Sequence, residues 1–325
     1  MANNPLVSVI IPCWNAEKCI FRLLDSLLNQ TYQNLEIFVI DDGSSDNSAQ
    51  LVKSYISKFE ARHNTLTYIW QEHAGQSYAI NKGLKLFSGK YIVWPDSDDF
   101  YSSNEAIEKM VQTLENASND VSMVRTFSLK LDESSLEQVG INKVSSFKQD
   151  LFYDCLFAKN GFYFTPGQYM ARSEVFLERI PNRHIFEEAY SGQNWQMMLP
   201  VLYKKKCITL PEILYFVLVR RNSDSRWAYK HFDAAVQQSE VRRQGIIYTL
   251  NQIEAIPSDE KKKLITQINE KYDFIFIKSC IRLNKKNELR SFLKKQKGIP
   301  NKFIFALTFC PFFFKMANVL FSRGK

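Results

Sequence analysis

Short apolar runs alternate with longer segments of helical periodicity through the first 127 residues. Val7-Ser8-Val9-Ile10-Ile11 is β-branched and nearly continuous in its apolar character, the pattern of a strand buried in a parallel sheet. Asn15 has the chemistry to cap the segment that follows, where Ile20, Leu23, Leu24, Leu27 and Leu28 fall on one helical face. Leu35–Ile40 predicts a second strand. The turn Asp41-Asp42-Gly43-Ser44-Ser45-Asp46 leads to a helix that would bury Leu51, Val52, Tyr55, Ile56 and Phe59. Leu66–Trp70 predicts a third strand, with a helix after Gly75, and Tyr91–Trp94 a fourth, stopped by Pro95. Ile107, Met110, Val111 and Leu114 mark another helix, and Val121–Phe127 another strand. This βαβα order predicts an α/β domain with a mostly parallel, Rossmann-like sheet and helices on both faces.

Beyond residue 128 the periodicity weakens. Residues 128–160 read as an irregular excursion, Val175–Ile180 and Trp195–Tyr203 as helices, and Cys207–Leu210 and Ile213–Val219 as two strands. From Phe232 to Lys295 long polar–apolar periodicities predict a helical C-terminal extension, and no internal repeat is present. With 325 residues, 45% of them hydrophobic, and only 11 Gly and 10 Pro, the chain has material for a full core and falls outside disordered and collagen-like classes. No uncharged apolar run reaches the length of a membrane span, and no secretory signal is expected at the N-terminus. The six cysteines form no CxxC pair, which fits a reducing cytoplasm rather than a zinc site or a disulfide framework.

The net charge of +8 is unevenly placed. Residues 276–325 carry twelve Lys and Arg against Glu288 alone, leaving the first 275 residues at −3. Within this stretch Phe303-Ile304-Phe305-Ala306-Leu307-Thr308-Phe309-Cys310-Pro311-Phe312-Phe313-Phe314 is too short to span a bilayer. Flanked by Lys302 and Lys315, it suits an in-plane anchor on an anionic membrane surface. A terminal helix packed on the core is the other reading. Nucleic acid is not an expected partner, since no binding motif accompanies the charge.

Candidate chemistry lies in loops after the strands. Asp41 and Asp42 follow the second, and Asp96, Asp98 and Asp99 the fourth, where open α/β sheets bind ligands. Neither GxGxxG nor GxxxxGK[ST] is present, so a nucleotide's phosphates would need another partner. A hard cation such as Mn²⁺ or Mg²⁺ on carboxylates supplies one, and would also relieve repulsion among three acids within four residues. An Asx-rich turn that caps a helix is the alternative.

These clusters belong to an ordered set. Val7–Glu17, Ser26-Leu27-Leu28-Asn29-Gln30-Thr31-Tyr32, Leu35–Asp46, Gly75–Gly83 and Asp96-Ser97-Asp98-Asp99 occur in the order and spacing of glycosyltransferase family 2, which the chain resembles. The resemblance implies a GT-A fold and inverting transfer from a UDP-sugar donor. It implies that Pro12 and Asn15 line the nucleotide pocket, Asp42 reads the uracil edge, and Asp96 stands near ribose and metal. Asp98 is the implied metal ligand, with Asp99 its competitor. Ile80 stands where many relatives carry Arg, removing one phosphate contact. Arg220, Arg221, Ser223 and Ser225 occupy an Arg/Ser-rich segment that relatives place near the diphosphate; a solvated loop is the other reading.

The departure from the family concerns the base. Inverting transfer needs a carboxylate to deprotonate the acceptor hydroxyl. Where relatives carry Glu-Asp ahead of a helix, this chain has Gln193-Asn194-Trp195, and an amide cannot act as a base. Three readings follow: Glu187 or Glu188 upstream serves, which is preferred; Gln193 and Asn194 orient the acceptor while another acid acts; or the chain is inactive. Trp14, Trp94 and Trp195 read as packing residues, with Trp195 placed to stack on a sugar face as the other reading. The four histidines lack zinc spacing, and Cys13 reads as an inert buried thiol. The chain therefore reads as a metal-dependent glycosyltransferase acting on a lipid-linked saccharide or polysaccharide acceptor at the cytoplasmic face of the plasma membrane. Its expected organisation is a catalytic domain over 1–225, a helical region over 226–300 and a membrane-associating segment over 301–325. A catalytically inactive nucleotide-sugar-binding subunit is the rival of a different class. A nucleotidyltransferase is a second rival, whose basic residues would have to be Lys18 and Arg22.

Overall fold

The computed structural model describes residues 4–144, 146–220 and 230–295. The basic aromatic segment 301–325, with Arg221, Ser223 and Ser225, lies outside the described residues. Contacts divide the chain into two units, residues 1–220 with 244–261, and residues 221–243 with 262–325.

The first unit is built on a nine-stranded mixed sheet. Its opening half follows the βαβα pattern: β1 (Val7–Cys13), α1 (Ile20–Leu28), β2 (Leu35–Asp42), α2 (Ser48–Lys53), α3 (Ile56–Glu60), β3 (Thr65–Gln71), α4 (Gln76–Leu86) and β4 (Tyr91–Val93). There follow β5 (Phe100–Tyr101), α5 (Ala106–Glu115), β6 (Val121–Asp132), β7 (Gln138–Asn142), α6 (Phe152–Phe157), β8 (Tyr169–Arg172), α7 (Ser173–Arg179), α8 (Gln193–Leu202) and β9 (Lys206–Val219). The strand order is β3-β2-β1-β4-β8-β6-β9-β5, with β7 hydrogen-bonded to β6. Pairings among β3, β2, β1 and β4 are all parallel, as is β6 with β9; the joins through β8, β7 and β5 are antiparallel.

The core explains why the first half was readable. Every residue of β1 is buried, and Ile20, Leu23, Leu24 and Leu27 of α1 pack beneath it. Each such leucine removed from water contributes about 1.5–3 kcal/mol. On the other face α4 approaches closely: a Cβ at Gly83 would stand 2.4 Å from Ile10 Cγ2, so only glycine fits there.

Several sequence expectations need correction. Asn15 does not cap α1, which begins at Ile20 after Cys19; Asn15 sits in the left-handed region at φ 46° and bonds elsewhere. The helix expected over residues 51–59 is two short ones, with Leu51 and Ile56 only half-buried. Residues 128–160 are not an irregular excursion: Ser128–Asp132 prolong β6, β7 returns as a hairpin, and α6 follows. The two strands expected after residue 206 are one, β9, interrupted by a bulge. Arg125 pairs with Thr209 and Phe127 with Ile213, so Leu210, Pro211 and Glu212 leave the register. Proline lacks the N–H a ladder needs, and a bulge accommodates it.

The helical expectation for the C-terminal region holds. Helices span Phe232–Gln252, Ser258–Arg282 and Lys286–Lys295. In the second unit Cys280, Ile281, Leu289 and Leu293 form a small core with Phe232, Phe276, Ile277 and Phe292 against it. Among the described residues no helix is long and apolar enough to cross a membrane.

Candidate active site

Parallel pairing brings the carboxyl ends of β2, β1 and β4 to one sheet edge, with Pro12 opposite Ile40 and Cys13 opposite Asp41. Pro12 is buried there, while Trp14 and Asn15 emerge into solvent. Cys13 is buried, and burial first, Asp41 second, pushes its thiol up to about 12, which leaves it inert as expected.

The loops after β1 and β2 are stitched together. Asn15 donates its N–H to Ser44 Oγ at 2.9 Å and accepts the Ser45 N–H on Oδ1 at 2.9 Å. Ala16 N–H donates to Ser48 Oγ at 2.8 Å, and Glu17 N–H to Asp46 Oδ2 at 3.1 Å. Glu17 returns a bond, accepting from Asn47 N–H at 3.0 Å. The spacing of Asn15 and Glu17 relative to Asp46 and Ser48 thus has a local cause. Each loop satisfies backbone donors of the other.

Asp42 is buried, and its carboxylate gathers the loop between β3 and α4. Oδ1 accepts from Gln71 Nε2 at 2.7 Å and Ala74 N–H at 3.0 Å; Oδ2 accepts from Gly75 N–H at 2.8 Å and lies 2.9 Å from His73 Nδ1. Four partners fill the capacity of one carboxylate. The His73 ring stacks on exposed Trp14 with centroids 4.7 Å apart, forming a flat platform beside the same edge.

Asp96, Asp98 and Asp99 present carboxylate oxygens that all lie within 4.8 Å of one another. The turn that gathers them is closed by Asp99 N–H on Asp96 O at 3.2 Å. Asp99 is the most buried, and its Oδ1 accepts the Leu218 N–H of β9 at 2.9 Å. Asp98 Oδ2 meets Arg220 Nη2 at 3.2 Å, and Arg220 Nε donates to Glu133 at 3.1 Å. Asp96 Oδ1 accepts from Gln76 Nε2 at 2.7 Å. All three carboxyls are held above the ordinary carboxylate range: burial is the main cause, the neighbouring aspartates add to it for Asp96 and Asp99, and Arg220 opposes it at Asp98. Crowded hard oxygen donors of this kind fit a divalent cation.

The residues singled out for the acceptor side fall on two elements. At the start of α8, Gln193 Nε2 donates to Gln76 Oε1 at 2.5 Å, so an amide relay runs from Gln193 through Gln76 to Asp96. Asn194 is bonded at both polar ends: Oδ1 accepts from Trp94 Nε1 at 3.1 Å and Nδ2 donates to Phe164 O at 2.8 Å. Trp195 stacks on Phe164 at 3.7 Å and donates Nε1–H to Cys155 O at 2.9 Å. The two upstream acids differ. Glu187 accepts from Asn81 Nδ2 at 2.9 Å and lies 3.3 Å from His184 Nε2. The Glu188 side chain is exposed, while its carbonyl accepts from Ser77 Oγ at 3.0 Å, one residue from Gln76. Ile80 is buried in α4 and belongs to the packing. Sequence reasoning missed Gln76 and the Trp14–His73 pair. Gln76 lies inside the Gly75–Gly83 segment, the one available signal.

A half-parallel sheet with an aspartate trio and a buried, hydrogen-bonded aspartate at its strand ends is the architecture of a GT-A glycosyltransferase. The model described as Glycosyl transferase family 2 matches residues 8–177, more than half of the chain, and the chain belongs to that family. It is 29% identical over 242 residues to the glycosyltransferase GlyA of Streptococcus pneumoniae serotype 4, covering 71% of this chain and 33% of GlyA. The chain thus spans about a third of the length of the first relatives it matches. Among solved structures, S. aureus TarS 1–349 in complex with UDP-GlcNAc aligns with a TM-score of 0.64 at 17% identity, over 98% of this chain and 89% of that one. The mannosyltransferase PcManGT from Pyrobaculum calidifontis, in complex with GDP-Man and Mn²⁺, aligns with a TM-score of 0.57 at 17% identity, over 99% and 85%. These likenesses establish the fold.

Proposed function

We propose that the chain is an inverting glycosyltransferase that moves a sugar from a UDP-sugar to a lipid-linked saccharide or polysaccharide acceptor, in the synthesis of capsule, O-antigen or cell-wall polysaccharide. The observation that carries this reading is the convergence of Asp96, Asp98 and Asp99 at the sheet edge. Asp98 and Asp99 would hold Mn²⁺ or Mg²⁺, which when bound supplies positive charge beside the departing diphosphate. Arg220, already on Asp98, adds charge of the same sign. UDP as the donor's nucleotide is supported by the Asp42 carboxylate, which can accept a uracil N3–H in place of the Gln71 or His73 side chain while the two backbone donors remain. Pro12 and Asn15 wall the same pocket, and Asp96 faces the ribose.

In the transfer, the acceptor oxygen forms its bond to the anomeric carbon as the bond from that carbon to the diphosphate breaks, and the hydroxyl proton passes to a carboxylate. Between the two upstream acids, the observations favour Glu188. Glu187 is bonded to Asn81 and paired with His184, whereas the Glu188 side chain is exposed, on a residue whose carbonyl is held by Ser77 in the first turn of α4. Gln193, Asn194 and Trp195 shape the acceptor side. The second reading, a non-catalytic nucleotide-sugar-binding subunit, is favoured by one observation: both polar ends of Asn194 are already engaged.

Calorimetry of UDP with and without Mn²⁺ tests the site, and UDP release across UDP-glucose, UDP-galactose and their N-acetylated forms tests the reaction. Metal-dependent UDP uptake that is lost in Asp98→Ala is expected. Uptake that ignores metal and survives Asp98→Ala would overturn the proposal, and uptake without turnover on any donor would favour the binding subunit. The basic segment 301–325 supports peripheral association with an anionic membrane. Removing it should release the protein from anionic vesicles with UDP binding intact, and unchanged vesicle binding would refute the anchor.

A further inference from the structure

Away from the clustered aspartates, a charged side chain is buried with no ion-pair partner among the described residues. Arg125 on β6 is 2% exposed. Its Nε donates to Thr209 Oγ1 at 2.9 Å, and its guanidinium lies 5.5 Å from the Tyr163 ring centroid. No ion pair engages it among the described residues. A guanidinium has five N–H donors, and these contacts use one of them. Buried charge without a partner is costly, so the remaining donors call for an explanation.

Those donors belong to a side chain that lines a cavity of about 410 Å³, together with Ser146, Lys148, Asp154, Asn160 and Phe162. Asp154 does not neutralise Arg125. One of its oxygens accepts from Asn160 Nδ2 at 2.8 Å and the other lies 3.5 Å from Lys148 Nζ. Two cations against one carboxylate leave the cavity positive. Ser146 and Lys148 are exposed while Arg125 and Phe162 are buried, so the space runs from solvent to the guanidinium. None of the three clustered aspartates, nor Asp42, lines it.

We propose that this cavity binds a phosphate group, free or carried on a saccharide or polyol. The Arg125 fork takes two oxyanion oxygens through parallel N–H bonds, Lys148 adds a mobile point charge, and Ser146 and Asn160 offer neutral hydrogen-bonding groups. The volume falls within the range of roughly 300–1,000 Å³ usual for small-molecule sites, so the phosphate can bring its carrier.

Calorimetric titration of the full chain with inorganic phosphate, without divalent cation and at fixed ionic strength, tests this. One saturable site is expected, weakened by about tenfold or more in Lys148→Met and lost in Arg125→Met. Lys148 is exposed, so its replacement carries the test should the Arg125 variant fail to fold. Asp98→Asn is expected to leave phosphate affinity unchanged, which separates this site from the donor edge. Tighter binding of glycerol 1-phosphate than of inorganic phosphate assigns a carried phosphate, and equal or weaker binding assigns the free ion. The absence of saturable binding in the natural chain, or equal affinity in Lys148→Met, overturns the proposal.

Discussion

The edge formed by residues 7–100 and the wall formed by residues 143–202 belong to the same unit, yet they are held by different forces. The edge is a lattice of hydrogen bonds in which carboxylate, amide and hydroxyl oxygens satisfy backbone N–H groups: Asp42 on Ala74 and Gly75, Asn15 on Ser45, Ser48 on Ala16. Around the start of α8 the wall is held by stacked rings and neutral amides, with Trp195 on Phe164 and Asn194 bridging Trp94 to Phe164 O. Acidic side chains cluster at the edge, in Asp42 and the Asp96, Asp98 and Asp99 trio, whereas the start of α8 on the wall carries the neutral Gln193 and Asn194. Among the side chains that join the two regions, Gln76 and Trp94 carry no charge and reach Gln193 and Asn194 at the start of α8.

The largest break in this contrast should come from the charged side. Asp98→Ala is expected to lower metal-dependent transfer by on the order of 10³-fold, the scale of losing electrostatic stabilisation of a leaving group. Chelating the cation should reproduce that loss in the natural chain, and activity that survives both treatments would show that the trio is not the site. Glu188→Gln should reduce kcat by about 10²-fold or more, with UDP affinity unchanged, whereas Glu187→Gln should cost far less. The reverse order would move the base to Glu187; near-normal turnover in both variants would remove it from this segment.

On the neutral side the expected effects are on stability. A Cβ at Gly167 would stand 2.1 Å from the Tyr215 ring, so Gly167→Ala should lower unfolding free energy by about 1–3 kcal/mol in urea titrations. The smallest effect sharpens the contrast most. Gln76→Ala and Gln193→Ala should each weaken activity by only a few fold, about 1 kcal/mol, but a double-mutant cycle should show that their effects are not additive. Additive losses would mean that the amide relay does not connect the two regions.

The same contrast explains what was legible beforehand. Strands buried in parallel pairing, such as Val7–Cys13, read as continuous apolar runs, and α1 shows its buried face at helical spacing. The Ser128-Leu129-Lys130-Leu131-Asp132 end of β6 was passed over because its signal is short and its β7 hairpin partner is polar and exposed. Cys207–Leu210 and Ile213–Val219 read as two strands, since a sequence does not reveal that the residues between them can bulge out while the ladder resumes at Ile213. In the site, the acids were visible because adjacent carboxyls need an explanation. The function of Gln76 was not, because an amide gains meaning only when α8 and the aspartate turn arrive from 117 and 20 residues away. Asn15 was read by its cap propensity, but its bonds go to Ser44 and Ser45 instead of to α1.

The stitching of the loops after β1 and β2 also bears on how fast and how tightly a donor can be caught. Segments already fixed by one another need little further loss of conformational freedom when a small molecule arrives. A cleft of this kind should show nearly the same amide-exchange protection over residues 14–17 and 44–48 before and after nucleotide is added, with its selectivity expressed in residence time more than in rearrangement.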